Sequence, residues 1–201
     1  MNARWRQGAA VAAAASWLLA GVIGGAAVEG YSHLQHPLAL LGARQLLGAV
    51  FGLFAFVLPG LAGAWIALDV RGRLPAGGGW PARIGAQLLL LAALAFLAQG
   101  LLPLDLERLD AGGSRWHATA WLLWALAFPV GAALLGAGLW RVPGARVLAA
   151  GTLAAGVLVL ACGFLGSGWV GAGVAQRLAF AAWLAWGLLA AAPGRLSRGA
   201  A

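Results

Sequence analysis

LLPLDLERLDAGGSRWHATAWLL, residues 101–123, is the densest charged stretch in a chain that otherwise carries almost no charge. Asp105, Glu107, Arg108, Asp110 and Arg115 crowd into it, His117 follows at once, and long apolar runs lie on both sides. A polar hinge between two hydrophobic spans is either a plain interhelical loop or the floor of a site. In both cases the flanking runs are long and apolar enough to read as membrane helices.

Composition agrees. Hydrophobic residues are 63% of the 201 and charged residues 9%, with a mean hydropathy of +0.90. Soluble domains carry about 25% charged residues, so a soluble globular class is excluded. The thirty-two Gly and abundant Ala would weaken a soluble helix, whereas between membrane helices they allow close backbone approach. A net charge of +8 invites nucleic acid as a partner. The thirteen basic residues are all Arg, scattered in ones to threes between apolar spans, and form no basic stripe, which excludes that partner. The lone Cys162 lies in an apolar run, so there is no disulfide framework.

Crossing the hydrocarbon takes about twenty apolar residues. Six runs qualify, at residues 9–28, 46–68, 84–102, 116–139, 147–169 and 174–192. The expected fold is therefore all-α, one polytopic six-helix transmembrane bundle over residues 1–201. The first run follows a short basic segment but exceeds the usual apolar core of a signal peptide, and reads as an uncleaved helix. With the N-terminus inside, Arg4, Arg6, Arg71, Arg73, Arg83, Arg141, Arg146, Arg195 and Arg198 fall on the cytoplasmic side. Only Arg44, Arg108, Arg115 and Arg177 fall outside, so both termini are expected in the cytoplasm of a prokaryotic plasma membrane.

Pro59 and Pro129 fall inside spans two and four, where each removes a backbone donor and is expected to kink its helix. The first outer loop, residues 29–45, reads EGYSHLQHPLALLGARQ. Pro37 suits the start of a helix. Residues 37–45 either run on into span two or form a short interfacial segment.

In this topology all three histidines (His33, His36, His117) and four of five acids (Glu29, Asp105, Glu107, Asp110) lie outside. Tyr31, Ser32, Gln176 and Arg177 join them, an asymmetry that fits either an outward-facing polar pocket or plain solvated loops. The fifth acid, Asp69, reads as a solvated interfacial ion pair with Arg71 and Arg73. His33 and His36, at i and i+3, could with His117 supply three nitrogen ligands to zinc, although Pro37 breaks a regular helix there. Ser114 is placed to N-cap span four. His117, Trp121, Trp124 and Phe128 share one helical face, either as a packing stripe or as an aromatic wall below a polar site. Asp105 at the hydrocarbon edge needs a partner; Arg177 offers one, with Gln176 adding hydrogen bonds. Ser32, His33 and Asp105 suggest a hydrolase triad only weakly, since Ser32 has no nucleophile-elbow context.

At these residues the chain resembles the small six-span prokaryotic membrane proteins called domain of unknown function 998. The resemblance rests on Tyr31-Ser32 after the first span and Pro103-Leu104-Asp105 after the third. Gly112-Gly113 then leads to His117, and Gln176-Arg177 opens the sixth span. It implies fold and membrane location rather than a reaction. A looser similarity to alkaline ceramidases implies a zinc-dependent lipid hydrolase using Ser32, Asp105 and His117, but span six lacks the HxxxH pair of that group. The reading carried forward is a membrane protein that binds a lipid or other amphipathic molecule and needs no cofactor. Asp105, His117 and Arg177 would meet the head, with Tyr31, Ser32, His33 and Gln176 around it. Trp121 and Trp124 would line the tail path.

Overall fold

The computed structural model describes residues 2–110, 112–194 and 196. It is all-helical, with no strand among these residues. Six helices are long and apolar enough to cross a membrane: α1 (Ala3–Ala27), α2 (Gly48–Gly72), α3 (Gly79–Leu101), α4 (Gly113–Leu139), α5 (Arg146–Phe164) and α6 (Ala172–Ala191). Each overlaps one of the six expected spans.

The helices form a ring. Each packs on its neighbours in sequence, and α6 closes the ring against α1. Small residues set the spacing of the walls. A Cβ placed on Gly52 of α2 would lie 2.6 Å from the Gly100 carbonyl oxygen of α3, so these backbones touch only because both residues are glycine. The middle of the ring is too wide for alanine to fill. Phe56, Phe96, Trp124, Phe180 and Trp183 occupy it, Phe96 stacking on Trp183 at 4.2 Å and meeting Phe180 edge-on at 5.0 Å. Offset and edge-on pairing of this kind contributes beyond area burial, about 0.5–1.5 kcal/mol per pair.

The loop after α1 does not run on into α2. Leu38–Gly42 is a single 3₁₀ segment, Ala43 is extended, and Gly48 opens α2 with φ of 52°. Of the two alternatives for residues 37–45, the short segment is the one formed. A left-handed backbone at Gly48 is readily available to glycine and blocks a continuous helix.

Pro59 reshapes α2 over the turn before it. Leu53–Val57 is a π-turn in which the Leu58 N–H bonds the Leu53 carbonyl. Pro59 has no N–H to offer, so the Phe54 carbonyl is left without a main-chain donor. The Ser16 hydroxyl of α1 supplies it at 2.6 Å. Pro129 lies within an unbroken α4.

An even number of spans puts the start of α1 and the end of α6 at one end of the bundle, with Arg4, Arg6, Arg71, Arg73, Arg83, Arg141 and Arg146. Arg195 and Arg198, counted with them from the sequence, lie outside the described residues. Asp69 at this terminal end is not the solvated pair expected. Its side chain is 7% exposed and sits between Arg73, one turn on, and Arg6 of α1 at 3.5 Å. Arg73 also donates to the carbonyls of Ala190 and Leu196, while Arg71 is exposed. The i, i+4 spacing brings Arg73 onto the buried face of α2 and leaves Arg71 off it. The cluster joins α1, α2 and the end of α6. Asp69→Ala strips the counter-charge from two buried guanidiniums and should cost about 3–5 kcal/mol of stability. Thermal unfolding in mild detergent checks this against Arg71→Ala, expected within about 0.5 kcal/mol of wild type; equal losses would refute it.

Candidate functional site

At the opposite, far end the loop after α1 is strapped onto the first turns of α6. Gly30, at φ of 72°, turns the chain out of α1, and the Ser32 N–H bonds His36 Nδ1 at 3.0 Å to close the next turn. Gln176 then caps the 3₁₀ segment. Its Oε1 accepts from the N–H of Leu38 at 2.6 Å and of Ala39 at 3.3 Å, donors that a helix start leaves open.

Arg177 is the centre of the strap. Its Nη1 donates to the carbonyls of His36 at 2.9 Å and Gly173 at 2.8 Å. Its Nη2 donates to the Tyr31 hydroxyl and faces His33 Nδ1 at 3.1 Å. The guanidinium carbon lies 5.8 Å from the Tyr31 ring centroid. Burial pushes the Tyr31 phenol above its ordinary value, against the pull of Arg177. The hydroxyl therefore stays protonated and donates to the His36 or Pro37 carbonyl. None of these partners of Arg177 is a carboxylate. No carboxylate lies within ion-pair distance of it among the described residues.

Asp105 belongs to a second cluster, not to Arg177 as expected. Gln45 Nε2 donates to its Oδ1 at 2.8 Å, the Glu107 N–H donates to the same oxygen at 3.1 Å, and Arg108 stands 3.8 Å from Oδ2. Gln45 returns its Oε1 to the Leu106 N–H at 3.1 Å. Ser114 does not cap α4, whose N-cap is Gly112. Its hydroxyl instead accepts from the Asp105 N–H at 2.9 Å and donates to the Asp105 carbonyl at 3.2 Å. Gln45 and Ser114 thus fold the loop between α3 and α4 around the carboxylate. Neither stood out as a partner of Asp105 in the sequence, because each depends on which loops meet.

His117 is buried at 6% exposure. Its Nδ1 lies 2.9 Å from the Leu102 carbonyl and 3.1 Å from that of Gln99, so this nitrogen carries the proton and ties α4 to the end of α3. Phe56 meets the imidazole edge-on at 6.2 Å. Below it the stripe divides. Trp124 and Phe128 are fully buried against Phe180 and Trp186, while Trp121 turns to Phe164 of α5. His33 and His36 flank Tyr31, at 5.2 and 5.5 Å between centroids. Among the described residues no three His, Cys, Asp or Glu side chains gather closely enough to hold a metal ion.

One open groove of about 220 Å³ runs from the strap down the face of α1. His33 and Arg177 stand among its walls, with Trp17, Leu18, Val22 and Leu38 as its apolar lining. Trp17 was not singled out from the sequence; only the closure of α6 on α1 brings it into one groove with Arg177.

The Gln45 hydrogen bond is the main cause holding the Asp105 carboxyl below its ordinary value; burial opposes it, and the Glu107 N–H, Arg108 and Arg44 assist. A lowered carboxyl contributes stability that is present above its unfolded value of about 3.9 and is lost as pH falls through the lower folded value. Melting temperature followed from neutral pH down to about pH 3 should show that loss, and Asp105→Asn should flatten it. An acid limb identical in wild type and variant would remove Asp105 from this account.

No curated protein and no solved structure matches the chain. A family model described as "Protein of unknown function (DUF998)" matches residues 11–193, nearly the whole bundle and both far-end clusters, and the chain belongs to that family.

Proposed function

We propose that this multi-pass membrane protein binds an anionic amphipathic molecule, a membrane lipid above all, in the groove beneath Arg177. The observation that carries the reading is the uncompensated guanidinium at the head of an apolar groove. An exposed arginine needs no counter-ion because water supplies one. Arg177 is half-buried, at the edge of a hydrocarbon slab, and its cage of two carbonyls, a phenol and an imidazole leaves the charge intact. It also stands in the second turn of α6, where the helix dipole is positive. A phosphate-bearing head is the complement of such a place, and the lining of Trp17, Leu18, Val22 and Leu38 suits a tail.

In this reading the head contacts fall to Arg177, Tyr31 and His33. The cluster of Gln45, Asp105 and Ser114 braces the neighbouring loop, and Trp124 fills the core. Both termini are cytoplasmic, as the arginine distribution favours, so the groove opens toward the outer leaflet.

Two measurements bear on it. Protein purified in mild detergent and incubated with phosphatidylglycerol or phosphatidylcholine should retain the anionic lipid about tenfold better by native mass spectrometry, near 1.4 kcal/mol. Arg177→Gln should lose the preference and Arg177→Lys, which keeps the charge, should keep most of it; equal retention of both lipids by wild type would end the reading. For orientation, Gln35→Cys in a Cys162→Ala background should react with a membrane-impermeant maleimide on intact cells, and Gly72→Cys only after permeabilisation. The reverse pattern would turn the groove inward.

A further inference from the structure

The far end carries a second groove. It measures about 160 Å³ and is lined by Trp121 of α4, Cys162 and Ser167, with Pro37, Gln176 and Ala179 opposite. It borders the same strap as the larger groove. On the loop side Pro37 lines the small groove and Leu38 the large one; on the helix side Gln176 lines the small groove and Arg177 the large one. Neighbouring residues of one loop segment and of one turn of α6 therefore line different grooves, and the two grooves flank the same strap. Gln176 Oε1 fixes it by holding the Leu38 and Ala39 N–H groups, and Arg177 fixes it by holding the His36 carbonyl.

We infer that the two grooves take the two acyl chains of a single diacyl lipid, with the strap standing between the chains. This rests on the lipid reading above and narrows its ligand class. Two chains esterified to adjacent carbons leave one polar point, and so call for two apolar channels that open beside the same polar groups. The volumes fit this use: a cavity of about 150 Å³ holds one benzene-sized apolar fragment, so each groove grips a segment of one chain and neither takes both. The polar groups beside the two grooves differ in the right way. Arg177 offers positive charge to the head, and the Gln176 Nε2, which has no partner among the described residues, offers N–H donors of the kind an ester carbonyl accepts. A single-chain amphiphile would fill one groove and leave the other to unrelated bilayer lipid.

The full-length protein in mild detergent is the test, with phosphatidylglycerol and its single-chain lyso form as probes. Wild type should retain the diacyl lipid at least about tenfold better than the lyso lipid. Gly163→Leu places its side chain in open space beside Trp121, whose nearest atom is 4.0 Å from the added Cβ, and so fills the small groove. It should bring diacyl retention down to the lyso level and leave lyso retention as it was, whereas Leu18→Trp, in the large groove, should lower both. An unmodified-protein measurement runs beside these: Cys162 is the only cysteine and lines the small groove, so the diacyl lipid should slow its alkylation by N-ethylmaleimide and the lyso lipid should not. Equal retention of the two lipids, or equal protection of Cys162, overturns the two-chain assignment and leaves the lipid reading standing. Retention of neither lipid overturns both.

Discussion

Hydrocarbon offers no hydrogen bonds, and that single deficit governs where this chain spends its few polar atoms. A carbonyl or N–H left open in an apolar medium costs several kcal/mol, which is why the spanning segments are helices. The exceptions are then repaired one by one. Pro59 orphans the Phe54 carbonyl, and Ser16 reaches across from α1 to it. The 3₁₀ segment at Leu38 begins without its own partners, and Gln176 reaches up from α6. Each repair joins elements distant in sequence, so satisfying the backbone also fixes the tertiary arrangement. Closure of the ring depends on it: α1 is held to α2 through Ser16 and its loop is held to α6 through Gln176 and Arg177.

The centre of the ring obeys a different rule. Gln99, Trp124 and Trp183 are buried with side-chain nitrogens, and in Gln99 the amide oxygen too, that have no partner among the described residues. Here the rings serve as volume. Glycine and alanine bring the helix walls close at Gly52 and Gly100 yet leave a wide middle, which aromatic side chains fill from α2, α3, α4 and α6. An unpaired indole N–H costs about 1–3 kcal/mol, a penalty the stacked and edge-on contacts of Phe96, Phe180 and Trp183 must offset.

Most of the fold was legible because its signal is local. A run of some twenty apolar residues needs no partner to be recognised as a span, and the six expected spans differ from the observed helices chiefly at their ends. What lay beyond the sequence was pairing. Asp105 and Arg177 share one end of the bundle, as expected, but α6 closes on α1, so Arg177 meets Tyr31 and His33 while Asp105 meets Gln45. Asp69 was misjudged for the same reason. Arg71 and Arg73 look alike in a string, and Arg6 is distant in it; only helix phase and ring closure select Arg73 and Arg6 and bury all three charges. Residues 37–45 were undecidable because the break is made by the backbone angle of Gly48, which sequence permits without requiring.

The two ends of the bundle handle charge in opposite ways, and the contrast bears on function. At the terminal end an aspartate sits between two arginines, so each buried guanidinium has a carboxylate beside it. At the far end Arg177 has four polar contacts among the described residues, yet none is a carboxylate. Compensation was within reach in composition: Glu29 stands two residues before Tyr31 in the same loop, and it is exposed and forms no ion pair among the described residues. A strap that needed only hydrogen bonds would be served by a neutral donor at position 177 without the desolvation cost of a guanidinium. A charge kept without a carboxylate beside it, above an apolar groove, is the arrangement that the proposed anionic ligand would complete.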